Sequence, residues 1–136
     1  MILDTSAIVA ITLKEPGFGA LLNKITREPY IGVGTPTITE TAIVLSARLR
    51  LDARGLLSRF LTEASIETIP FGEAHYGSAV EAWLQFGKGR HPAGLNFGDC
   101  LSYATARLAE QPLLCVGDDF AKTDVTLASA PVTSRS

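Results

Sequence analysis

The chain has 136 residues, of which 46% are apolar. That is the size of one domain with material for a packed core, and it excludes a disordered segment. The net charge is −2, so no global positive field gathers nucleic acid. No apolar run approaches the ~18 residues of a membrane span, and Met1-Ile-Leu-Asp4 has an acid where a signal peptide would be basic.

Ile2-Leu3 reads as a short strand that stops at Asp4. Residues 5–13 read as a helix, and Pro16 opens a second one that runs to about Thr26. Residues 30–35, Tyr-Ile-Gly-Val-Gly-Thr, are β-like and punctuated by Pro36. A strong helix covers 37–51, another covers 53–64 after a break near Asp52, and 66–69 is a strand ended by Pro70. Residues 73–86 are helical. The segment 87–95, with three Gly and one Pro, is a loop. A helix over 97–110 takes Asn96 as its N-cap. Residues 113–116 are a fully apolar strand, and 125–127 make a last short one. Cys100 and Cys115 fall in apolar stretches of helix and strand. They suit buried, reduced thiols in a cytoplasmic protein better than a disulfide or a zinc site.

Strands alternating with helices imply an α/β fold, with a mostly parallel central sheet of four to five strands flanked by helices. One domain spans residues 1–130, and 131–136 form a frayed tail. Parallel sheets place ligands at the carboxyl ends of their strands.

The acids follow that rim. Asp4 comes directly after the first strand, and Glu40 lies in the first turn of the helix after the second. Asp99 starts the helix near Phe97, and Asp118-Asp119 follow the strand ending at Val116. Singly, Asp4 and Asp99 fit helix caps and Asp118-Asp119 fits a turn. Glu40 fits a helix N-terminus, but at 100° per residue it shares a stripe with Ile43, Val44, Ala47 and Leu51, while Ile38, Ala42, Leu45 and Leu49 form a second apolar stripe. Two carboxylates about 5 Å apart repel by roughly 3 kcal/mol at an effective dielectric of about 20, or about two pKa units. Four acids on one rim therefore call for a cation. An all-oxygen donor set without Cys or His matches Mg²⁺, with Mn²⁺ as a substitute. The reaction class that follows is metal-assisted phosphodiester hydrolysis by an activated water.

Four segments resemble the PIN-domain ribonucleases of VapC-type toxins: Met1-Ile-Leu-Asp-Thr-Ser-Ala-Ile8, Thr39-Glu40, Arg90 to Ala104 with its Asn-Phe-Gly-Asp-Cys core, and Gly117-Asp-Asp-Phe-Ala-Lys-Thr-Asp124. The resemblance spans essentially the whole chain and implies a PIN-like three-layer sandwich. It implies that Asp4, Glu40, Asp99 and Asp119 are the metal-holding, catalytic acids. Asp118 stands where the family often has Asn, so which of the pair faces the metal stays open. Ser6 matches a small polar position that supports the site, and Thr123-Asp124 matches a Thr-Asp pair without an assignable role. The resemblance further implies an RNA substrate, a homodimer, a cognate VapB-type antitoxin and a larger toxin–antitoxin hetero-oligomer.

Two basic patches stand by as RNA contacts, Arg48, Arg50, Arg54 and Arg59 in one and Lys88, Arg90 and His91 in the other. Solvated helix faces and loops explain the same residues. Two other functions remain open from the residues alone. A phosphorylated receiver domain also clusters acids on an α/β rim, but Asp4 is followed by Thr-Ser instead of a second acid, and Gly117-Asp-Asp offers no lysine. A nuclease fold kept only for binding is the other; all four acids are present, which speaks against it.

Overall fold

The computed structural model describes residues 1–128. The expected tail at 131–136 and the domain boundary at 130 lie outside the described residues. The chain runs β1 (Ile2–Leu3), α1 (Thr5–Thr12), α2 (Phe18–Arg27), β2 (Gly32–Gly34), α3 (Thr35–Leu49), α4 (Arg54–Glu63), β3 (Glu67–Ile69), α5 (Glu73–Phe86), α6 (Phe97–Ala109) and β4 (Leu113–Leu114). A 3-10 turn over Phe120–Lys122 follows.

The four strands form one parallel sheet in the order β3-β2-β1-β4, with Ile2 in register with both Gly32 and Leu113. Alternating side chains feed two cores. Leu3, Val33 and Leu114 pack with Ile8 of α1, Leu21 and Ile25 of α2, Leu45 of α3 and Leu57 of α4. Ile2 and Leu113 point the other way, to Ala82 and Phe86 of α5 and Cys100, Tyr103 and Ala104 of α6. Strand period two therefore builds the three layers, helix, sheet and helix. The first two crossovers step outward from β1 through β2 to β3, and the third returns the chain past β1 to β4. That reversal puts the topological switch point beside β1, where open α/β sheets bind ligands.

Several expected boundaries move for identifiable reasons. Pro16 does not open α2; the helix starts at Phe18, after Gly17 has turned the chain at φ 88°. Thr35 belongs to α3 and Pro36 sits in its first turn, where a missing N–H costs nothing. The glycines of β2 admit close neighbours: a Cβ on Gly34 would stand 2.8 Å from Thr105 Oγ1 of α6. β4 ends at Leu114, and the N–H of Val116 donates to Ser6 Oγ at 2.9 Å instead. The expected strand at 125–127 reduces to one parallel bridge between Leu113 and Leu127, so the sheet has four strands among the described residues.

Thr123 and Asp124 acquire a structural role. Thr123 Oγ1 donates to Phe120 O at 2.7 Å. Asp124 accepts from Tyr103 Oη at 2.5 Å and from Arg107 Nη1 at 3.0 Å, which fastens the last segment to α6.

Candidate active site

Asp4 is the first residue past β1 and caps α1: Ser6 N donates to its Oδ2 at 3.0 Å. Ser6 Oγ donates to the same oxygen at 2.6 Å, and Ser102 Oγ of α6 donates to Oδ1 at 2.6 Å. The residue is 5% exposed, so its charge is held in place by three donors with little water. Ser102 spends its proton on Asp4, so Thr37 Oγ1, 3.4 Å away, is the donor of that weaker contact. Capping and site roles coincide in this residue.

Glu40 is half-buried on α3. Thr5 Oγ1 donates to its Oε1 at 2.6 Å, and Thr41 Oγ1 donates to Thr5 at 3.1 Å. The carboxylate lies against the first turn of α6, where it would collide with any Cβ on Gly98. The positive end of that helix favours it there. The expected apolar stripe through Glu40 is not core: Ile43 is 65% and Leu51 55% exposed, and α3 buries Thr37, Thr41 and Leu45 instead. Thr37 and Thr41 face inward because their hydroxyls find partners there, Thr37 at Ser102 and Thr41 at Thr5 and the Thr37 carbonyl, which hydropathy does not encode. Among the described residues no buried side-chain nitrogen or oxygen lacks a partner.

Asp99 forms a reciprocal capping box with Asn96: each backbone N–H donates to the other's side chain, at 2.9 and 3.1 Å. Burial pushes its carboxyl from 3.8 up to about 6; the Asn96 N–H works against that, and the charges of Asp4, Asp119 and Glu40 add to it. Desolvation thus leads, and the mutual repulsion expected from sequence comes after it. Asp119, and not Asp118, is among the charges felt at Asp99 and also at the buried Cys115 thiol, pushed up to about 12. Asp119 is exposed at the head of the 3-10 turn and does not line the cavity shared by the other three.

That cavity measures about 290 Å³ and is lined by Asp4, Thr5, Ser6, Glu40, Asn96 and Asp99, with Glu15 and Arg48 at the same wall. Among the described residues no three His, Cys, Asp or Glu side chains are grouped so that they could hold a metal ion between them. The donor set is compatible with an ion that keeps most of its waters and takes one or two carboxylates, as Mg²⁺ does.

The basic patches fare differently. Arg54 is bound to Asp52 and Arg59 to Glu63, both on the surface. Arg90 Nε donates to Leu84 O at 3.1 Å and the guanidinium lies 4.9 Å over the Trp83 ring. His91 is loop structure: its Nδ1 accepts from Ala93 N at 3.0 Å, and the ring meets Phe86 edge-on. Sequence reasoning missed Ser102, Thr5 and Gly98. Ser102 had a readable signal, since it lies three residues after Asp99 on one helix face.

A family model described as the PIN domain matches residues 1–125. Ribonuclease VapC36 of Mycobacterium tuberculosis is 43% identical over 126 residues, covering 92% of this chain and 91% of that protein. This chain belongs to the PIN-domain family, in its VapC branch. A second VapC relative, Ribonuclease VapC of Mycolicibacterium smegmatis, is 40% identical over 92% of the chain and 97% of its own length. Two solved VapC structures share the fold. VapC20 of M. tuberculosis, described as a Sarcin-Ricin loop cleaving toxin, superposes with a TM-score of 0.75 at 16% identity, covering 92% of this chain and 95% of that one. VapBC2 from Rickettsia felis, solved on a fragment of promoter DNA, gives 0.69 at 15% identity, covering 93% and 94%. Family membership and the PIN fold remove the receiver-domain alternative.

Proposed function

We propose that this VapC-branch PIN domain is an endoribonuclease toxin, dependent on Mg²⁺ or Mn²⁺ and silenced by a cognate VapB-type antitoxin. The observation that carries the reading is convergence: Asp4, Glu40 and Asp99 come from three segments and line one cavity at the carboxyl edge of the sheet, with the charge of Asp119 felt at Asp99. Asp4 and Asp99 would hold the ion. Glu40, oriented by Thr5, and Asp119 would align the attacking water. A bound divalent ion supplies Lewis acidity toward that water and the phosphoryl oxygens. Ser6 and Ser102 keep both Asp4 oxygens in place, and Oδ1, with Ser102 as its one donor, keeps a lone pair free.

The relatives' names support an RNA substrate, and the solved VapBC assembly supports an antitoxin partner. A homodimer that joins the antitoxin in a larger assembly belongs to the same proposal. An apolar groove beside Glu40 suits a protein partner; it includes Ile43, Phe71, Leu101 and Phe97, the last 80% exposed. Among the described residues no helix is long and apolar enough to cross a membrane, which is compatible with action in the cytoplasm.

The test is cleavage of total cellular RNA by the purified protein, read by sequencing the new 5′ ends. Cleavage is expected to stop with EDTA, resume with Mg²⁺ or Mn²⁺, and stop again with the antitoxin. Cleavage that ignores chelation would refute the metal assignment.

The raised Asp99 carboxyl adds a pH signature. Between about 3.8 and 6 the folded protein holds a proton there that the unfolded chain releases. Stability of the metal-free protein therefore falls as pH rises through that window, and above it the ionised carboxylate is a standing penalty. A divalent ion relieves that penalty only when Asp99 is ionised. Scanning fluorimetry should show a larger Mg²⁺-induced rise in Tm at pH 7.5 than at pH 5. An equal rise at both would remove Asp99 from the ion's surroundings.

A further inference from the structure

An active site of clustered acids has to receive an anionic backbone, and its metal offsets only part of the charge. The cavity needs a cation of its own, and α3 provides one. Glu40, Val44 and Arg48 recur every four residues on that helix and all three line the cavity wall. Arg48 stands eight residues beyond Glu40, about 12 Å along the axis. It is the one basic residue among the described residues that line this cavity.

Its commitments are light. Nη1 meets Glu15 Oε2 at 3.3 Å, a single contact between side chains 56% and 37% exposed. The remaining guanidinium N–H groups are free to donate. By contrast Arg54 makes three side-chain bonds to Asp52, at 2.7 to 3.1 Å, and Arg107 is tied to Asp124. Arg90 is folded back over its own helix on Trp83.

Resting on the nuclease reading above, we propose that Arg48 binds a backbone phosphate of the RNA flanking the scissile bond, and that Glu15 is a stand-in anion which the phosphate displaces. A phosphate offers the planar guanidinium a bidentate partner of higher charge than the one oxygen it now touches. The contact orients the strand and is blind to base identity.

A random-sequence single-stranded RNA pool is therefore the right probe. Its affinity is measured with Mg²⁺ present, in an Asp4→Asn background that prevents cleavage during the measurement. Adding Arg48→Ala should weaken binding roughly tenfold and lower the slope of log affinity against log salt by about 0.7. Arg48→Lys should keep most of that slope. Adding Glu15→Gln should tighten binding roughly two- to threefold. Both sites are on the surface, so all variants should melt with the background protein. If the parent protein leaves RNA uncut with Mg²⁺ present, the nuclease reading fails. If the parent cuts RNA and Arg48→Ala changes neither affinity nor salt slope in the Asp4→Asn background, the reading stands and the Arg48 contact is refuted.

Discussion

An Asp4→Asn variant is expected to be folded and inactive. The substitution keeps size and shape, and the asparagine oxygen can still accept from Ser6 N, so the α1 cap survives. What is lost is one acceptor: the amide nitrogen cannot take the proton of Ser102 or Ser6 that now reaches Asp4. A buried hydrogen bond to a charged group contributes about 1.5–3 kcal/mol. Against this, the substitution removes one of the charges that hold the Asp99 carboxyl up. The two effects oppose, so Tm should stay within a few degrees of the parent. Activity has no such offset. Removing one charge-stabilising group from a preorganised site costs on the order of 10²–10³ in rate, and loss of a metal ligand should be at the upper end. Asp4→Ala would be a poorer test, because losing the cap costs about 0.5–2 kcal/mol by itself. A folded Asp4→Asn protein that cleaves total RNA at the parent rate would remove Asp4 from the centre.

Gly98→Ala should separate stability from activity in the opposite sense. Alanine in a helix is favoured over glycine by up to about 1 kcal/mol. The added methyl, however, occupies the space of the Glu40 carboxylate, whose Cδ would lie 2.7 Å from it. Glu40 is long and half-exposed, so it swings away instead of unfolding the helix. That breaks its bond from Thr5 and moves the carboxylate from the cavity. A displacement of about 1 Å can cost on the order of 10² in rate. The expected outcome is unchanged or slightly raised Tm with activity lower by about that factor. A Glu40→Gln background checks the cause: there Gly98→Ala should add almost nothing, since both changes act through one carboxylate. Full additivity of the two losses would show that Gly98 acts elsewhere.

Much of this was legible in the sequence because it is local. The bounds of α5 and the Asn96 cap of α6 were readable from periodicity and capping chemistry, which operate within about four residues. The placement of Asp4, Glu40 and Asp99 at strand ends and first turns was readable for the same reason. Where local signals misled, a tertiary contact had overruled them. Val116 gives its N–H to Ser6 and ends β4 early. Residues 125–127, apolar enough for a strand, keep one bridge to Leu113. Arg54 and Arg59 looked like a nucleic-acid patch until their partners Asp52 and Glu63 were in view.

Asp4 illustrates the division. By itself the sequence determined that an acid follows a short apolar strand and starts a helix, because strand, cap and side-chain type are fixed by adjacent residues. Only the tertiary structure decided what holds that acid and what surrounds it. Ser102, 98 residues away, donates to it. Thr5 and Glu40, 35 apart, meet beside it. Gly98 clears the space, Asp119 rather than Asp118 lends its charge to Asp99, and Arg48 alone of its patch lines the cavity. Those pairings depend on how α3 and α6 pack across the sheet, and packing is set by the whole core instead of by any one segment.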